Sequence, residues 1–80
     1  MMAVVTVLYF ASLRDAAGCD SEQIDHTGDL ATLYRILRAR HGFALPIERV
    51  RVAVDGAFAG WEDLPRDGAE IAFIPPVSGG

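Results

Sequence analysis

Only one stretch of this 80-residue chain carries a complete helical signature, and it dictates what the remainder must build. Leu30, Leu33, Tyr34 and Leu37 recur at the i, i+3, i+4, i+7 spacing of a single helix face. Asp29 precedes them as an N-cap, because a short side-chain oxygen can accept a free N–H of the first turn. Gly42 follows as the stop, since helices commonly end on a residue at positive φ. Arg35, Arg38 and Arg40 fall at other positions and read as a solvated face. A lone helix with one apolar stripe has to be covered by a sheet.

The other segments supply that sheet. Val4 to Ala11 is a continuous apolar run rich in β-branched and aromatic residues, which reads as a strand. Its period of two puts Val5, Val7 and Tyr9 toward the core and Thr6, Leu8 and Phe10 on the outer face. Ser12 to Gly18 reads as a short helical turn, and Ser21 to His26, alternating around Ile24, as a strand that forms a hairpin with the first. Val50 to Val54 and Ala57 to Trp61 flank Asp55-Gly56, a two-residue hairpin turn that requires positive φ at both positions. Turn chemistry from Leu64 to Gly68 leads into a last strand, Glu70 to Ile74. There Ile71 and Phe73 share one face, with Ala72 and Ile74 on the other. The predicted order is β-β-α-β-β-β, an α+β fold with a mixed sheet of about five strands and one main helix packed on one face. The first and last strands are expected side by side and parallel at the centre. That order and size resemble the β-grasp, or ubiquitin-like, architecture. Residues 1–75 are expected to form the domain and 76–80 an extended tail.

Eighty residues suffice for one small domain, which buries about 60–65% of its unfolded surface. An apolar content of 51% is more than so small a core hides, so part of it is expected to face a partner. A net charge of −4 excludes a basic nucleic-acid face. No apolar run approaches the roughly 20 residues of a membrane span. Met1 to Phe10 lacks a basic leader and a cleavage site, so it is expected to be a strand and not a signal peptide. The single cysteine, Cys19, excludes an internal disulfide and fits a reducing cytoplasm. All seven basic residues are arginine. The chain therefore has no lysine to accept an isopeptide bond.

The functional signal lies at the end, Ile74-Pro75-Pro76-Val77-Ser78-Gly79-Gly80. Proline cannot continue a sheet ladder, so the last strand must stop, and consecutive prolines favour a stiff polyproline arm. Gly79-Gly80 then present a carboxylate with no side chain for two residues, an end able to pass a channel too narrow for any Cβ. Six residues extend to about 20 Å. An arm of that length reaches a buried site on another protein.

The tail Ala72-Phe73-Ile74-Pro75-Pro76-Val77-Ser78-Gly79-Gly80 closely resembles that of the small, sulfur-carrier subunits of molybdopterin synthase. Val7-Leu8-Tyr9-Phe10-Ala11-Ser12-Leu13-Arg14 and Val52-Ala53-Val54 resemble the same family, as does Asp67-Gly68 before the last strand. Asp55 stands where an asparagine is expected, and Asp-Gly makes the same turn. The resemblance implies a carrier cycle. An ATP-dependent activating enzyme adenylates the Gly80 carboxylate, and a sulfur donor protein converts it to a thiocarboxylate. The tail then enters the large synthase subunit, where the sulfur passes to a pyranopterin precursor of the molybdenum cofactor. A heterotetramer of two small and two large subunits is implied, with no cofactor bound by the small subunit itself. Thiazole, thiolated tRNA or cysteine as the sulfur acceptor, a ubiquitin-like protein modifier, and an interaction domain with an inert tail are the alternatives.

Gly80 is therefore the expected reacting residue, with Gly79 as the steric requirement and Pro75, Pro76, Val77 and Ser78 as the arm. Strand parity puts Phe10 and Ile74 on the face away from the helix, and the resemblance places Phe58 beside them as a partner patch. Cys19 reads as an incidental thiol, His26 and His41 as surface or capping residues with no metal site, and Trp61 as packing at the edge of the core. No Ser-His-Asp set, phosphate loop or carboxylate pair is present, so nucleotide and catalytic groups must lie on partners.

Overall fold

The computed structural model describes residues 2–76, so Val77, Ser78, Gly79 and Gly80 of the expected arm lie outside the described residues. The elements run β1 (Ala3–Tyr9), α1 (Ala11–Ala17), β2 (Ser21–His26), α2 (Leu30–His41), a 3-10 turn (Ile47–Arg49), β3 (Arg51–Val54), β4 (Ala57–Ala59) and β5 (Glu70–Ile74). The five strands form one sheet in the order β2-β1-β5-β3-β4. β1 and β5 pair in parallel at its centre, with Val7 opposite Ile71 and Tyr9 opposite Phe73, and the other neighbours are antiparallel. This is the β-grasp arrangement expected from the element order.

The periodicities explain the layering. Val5, Val7 and Tyr9 of β1, Val52 of β3, and Ile71 and Phe73 of β5 are buried on one sheet face, against Leu30, Leu33, Tyr34 and Leu37 of α2. Asp29 caps α2 by accepting from Thr32 N at 2.9 Å, and Gly42 ends it at φ 74°. Leu13 of α1 enters the same core. Tyr34 keeps its buried hydroxyl satisfied by donating to the Leu45 carbonyl at 2.7 Å.

β1 starts one residue early, at Ala3, and α1 runs from Ala11 to Ala17 instead of Ser12 to Gly18; three further boundaries depart from the periodic reading. β1 ends at Tyr9, two residues early, because Phe10 caps α1 and its carbonyl accepts from Leu13 N at 3.1 Å. β4 stops at Ala59 instead of reaching Trp61. The chain there turns toward α2, whose first amides need acceptors. Leu30 N donates to Asp63 O at 3.0 Å, and Ala31 N to Trp61 O at 2.9 Å. The Trp61 ring meanwhile stacks on Phe73 at 5.9 Å, packing on the core as expected. The 3-10 turn before β3 carries no periodic signal, and it displaces the start of that strand from Val50 to Arg51. Among the described residues, no helix is long and apolar enough to cross a membrane.

Candidate functional site

The face of the sheet away from α2 has no layer over it among the described residues, and its register builds a groove. Leu8 of β1 and Ala53 of β3 both lie opposite Ala72 of β5, and Ala53 also lies opposite Phe58 of β4. Two alanines at the centre keep the floor low, while Leu8, Phe10, Phe58 and Ile74 stand around it in an open groove of about 270 Å³. Phe58 is 69% exposed and Phe10 45%. The structure thus brings Phe10, Phe58 and Ile74 together around one depression. Asp55-Gly56 sets Phe58 there, since both residues adopt the positive φ of a tight hairpin, 51° and 87°.

A second groove, of about 340 Å³, continues past Ile74 along Pro75 and Pro76 and is flanked by Glu48, Arg49 and Arg51. The arm is therefore rooted at the edge of the apolar face. β5 delivers it there from the middle of the sheet, held on one side by β1 and on the other by β3.

Beneath Phe10, a polar cluster fixes the end of β1. Tyr9 donates its hydroxyl to Glu22, and His41 Nε2 donates to the same carboxylate at 2.6 Å. Burial, and then the Glu22 carboxylate beside it, push the Tyr9 hydroxyl far above its ordinary range. For Glu22, burial alone would raise the carboxyl. The hydrogen bonds from Tyr9 and His41, with the charges of His41 and Arg40, outweigh it and hold the group below its ordinary range. The cluster joins the C-terminal turn of α2 to the β1–β2 hairpin.

His41 is accordingly part-buried in its hydrogen bond to Glu22 and is not a surface residue. His26 is buried as well, donating from Nε2 to the Asp29 carbonyl at 2.9 Å, so neither the surface nor the capping role expected for it applies, the cap of α2 being the Asp29 side chain. Arg35, Arg38 and Arg40 are all exposed, the solvated face expected of them, and Arg38 Nε also donates to the Phe43 carbonyl at 3.1 Å across the end of α2. Cys19 is half-buried against the core. Among the described residues, no group of His, Cys, Asp and Glu could hold a metal ion. What the arrangement can do chemically is bind a flat apolar surface and hold out an arm beside it.

Two residues of this face escaped the sequence reading, Arg51 and Glu70. The guanidinium of Arg51 lies over the Phe58 ring at 5.6 Å, and Glu70 lines the opposite end of the apolar groove. Parity could have found both. Arg51 alternates with buried Val52, and Glu70 with buried Ile71.

Comparison with known proteins gives a consistent picture. A family model described as the ThiS family matches residues 7–80. The molybdopterin synthase sulfur carrier subunit of Haemophilus influenzae is 35% identical, over 96% of this chain and 100% of that protein. The protein of that name from Escherichia coli is 29% identical over the same shares. Among solved structures, small archaeal modifier protein 1 of Methanosarcina acetivorans superposes with a TM-score of 0.81 at 27% identity, covering 100% of this chain and 99% of that one. A chain of the complex of subunits 1 and 2 of molybdopterin-converting factor from Helicobacter pylori gives 0.66 at 27%, covering both chains fully. A ubiquitin of Caldiarchaeum subterraneum, 13% identical with a TM-score of 0.69 and full coverage of both chains, shares the fold alone.

Proposed function

The chain belongs to the ThiS family, and from that premise we propose that it is the sulfur carrier subunit of a molybdopterin synthase. The observation that carries this reading is end-to-end likeness to proteins named for that role, spanning the whole of the Haemophilus influenzae relative. An apolar groove continuous with the root of the arm supports it, because a carrier must hold its partner where the arm departs.

The proposed cycle follows from the chemistry of a carboxylate. An oxygen of Gly80 attacks the α-phosphorus of ATP on an activating enzyme, pyrophosphate leaves, and the acyl carbon gains AMP as a leaving group. The terminal sulfur of a donor protein's persulfide attacks the acyl carbon and expels AMP. A second thiol cleaves the resulting acyl disulfide, forming a disulfide with the donor and releasing a thiocarboxylate, anionic at neutral pH and a soft nucleophile. Docking on a large synthase subunit brings that sulfur to the pyranopterin precursor at high effective concentration. Gly79 keeps the approach to the acyl carbon free of side chains. The carrier supplies the reacting end, and its partners supply the catalytic groups.

The test is reconstitution with an activating enzyme, ATP and a sulfur donor, followed by intact-mass measurement. The carrier should gain the mass difference between sulfur and oxygen and then return to its starting mass on delivery to a large subunit loaded with precursor. Removal of Gly80 should abolish both changes, and sulfur transfer that survives that deletion would overturn the proposal.

A second reading, protein modification, draws on the likeness to small archaeal modifier protein 1. It predicts conjugates to other proteins that survive thiol reductants. With no lysine, the chain cannot form lysine-linked chains of itself.

A further inference from the structure

We propose that Arg51 selects and orients the docking partner by pairing with a carboxylate on the partner's surface, beside the mouth that receives the arm. The inference rests on the reading above that the outer face docks another protein. Arg51 lies directly across the ladder from Ile74, the last strand residue before the prolines. Its guanidinium carbon lies over the exposed ring of Phe58, 5.6 Å from the centroid, within cation–π range. Among the described residues, no carboxylate lies at ion-pair distance from it, although Glu48 lines the same groove.

A cation–π contact uses the charge of the guanidinium and leaves its N–H donors able to match the two oxygens of a carboxylate. The contact also restricts the side chain before binding, so less conformational freedom is lost when the pair forms. The occupant is a protein surface, because the apolar lining continues from Phe58 and Ile74 to Leu8, Phe10, Ala53 and Ala72, an extent that another protein's apolar patch covers.

The charge pattern gives the partner's polarity. The chain carries −4 overall, yet the rim at the root of the arm is net basic, with Arg49 and Arg51 against the one carboxylate of Glu48. Glu70 sits at the other end of the apolar groove, four residues back along β5 and so about 13 Å away. The face is basic beside the arm and acidic at its far end. A complementary partner places an acidic side chain next to its channel, and docking in the reversed direction meets like charges at both ends. A partner without that acid leaves the Arg51 guanidinium desolvated and unpaired, which is costly. Arg51 therefore rejects other surfaces as well as holding the right one.

The experiment measures binding of the full chain to the large subunit of a molybdopterin synthase at low and high salt, with Arg51→Gln and Arg51→Glu beside the unsubstituted protein. Arg51→Gln should weaken binding about tenfold at low salt and flatten the salt dependence, and Arg51→Glu should weaken it about a hundredfold. Thermal melts should be unchanged, because the side chain is exposed. Replacing the acidic residues around the large subunit's channel by arginine, one at a time, should yield one variant that restores binding of Arg51→Glu. Arg51→Gln binding like the unsubstituted chain at both salts, or no restoring variant, overturns the inference alone. Failure of the unsubstituted chain to bind overturns it together with the functional reading.

Discussion

Ile74 and Arg51 face each other across the β5–β3 ladder, so the last strand residue before the arm is anchored to the strand that carries the basic rim. Pro75 and Pro76, which follow Ile74 directly, line a groove beside that rim.

Phe10→Arg should separate binding from folding. The ring lines the groove and is 45% exposed, while the same residue's backbone carbonyl starts α1 independently of the side chain. Affinity for the large subunit should fall by tenfold or more, about 1.4 kcal/mol, with the melting temperature moving by only a few degrees. Calorimetric titration beside a thermal melt reads both. Loss of fold would show instead that Phe10 completes a second core.

Phe73→Ala tests the opposite face. That ring is fully buried and meets Tyr34 at 5.1 Å and Trp61 at 5.9 Å. Removing it should cost about 3–5 kcal/mol, much of the stability of a domain this small. Denaturant unfolding should register the loss as a lower midpoint.

Glu22 should make stability acid-sensitive in a defined direction. Its carboxyl is held below the ordinary value of 4.5, so its stabilising contribution is complete above that pH and is lost as the pH falls through the folded value. Asp29, lowered mainly by the hydrogen bond from the Thr32 amide, acts in the same direction. Glu22→Gln should destabilise the protein at pH 7 by about 1–3 kcal/mol and reduce the slope of stability against pH in the acid range. Urea midpoints measured between pH 3 and pH 7, on the order of one per unit, would show whether the two curves converge at the acid end as expected.

Asp29→Ala should destabilise the start of α2 by removing the acceptor for the Thr32 amide and hydroxyl. Because that cap is exposed, the core stays intact. Faster amide exchange in the first turn of α2 is the expected local signature.

Gly56→Ala probes the hairpin that raises Phe58. No heavy atom lies within 4 Å of a Cβ built there, so space is not limiting, but φ is +87°. The cost should be about 1 kcal/mol from backbone strain alone, with weaker partner binding if Phe58 is displaced. Asp55→Asn, which preserves the turn chemistry, should be neutral in both measurements.

Local chemistry by itself determined much of this protein. Asp29, the Leu30-Leu33-Tyr34-Leu37 stripe and Gly42 set α2 to the residue, because capping and periodicity act within one or two turns. Alternation in Val5, Val7, Tyr9 and Ile71, Phe73 separated the core face from the outer one, since a pleat admits only two sides. Pro75-Pro76 ended β5 through the missing N–H. What only the tertiary structure decided were contacts between segments distant in the chain. β4 gave up its last residues because Trp61 and Asp63 carbonyls were needed at the start of α2, about 30 positions away in sequence. His41 and Tyr9 converge on Glu22 from three elements, and Arg51 meets Ile74 only through the strand register. Such pairings depend on how strands and helix come together in space, and no window of neighbouring residues encodes that geometry.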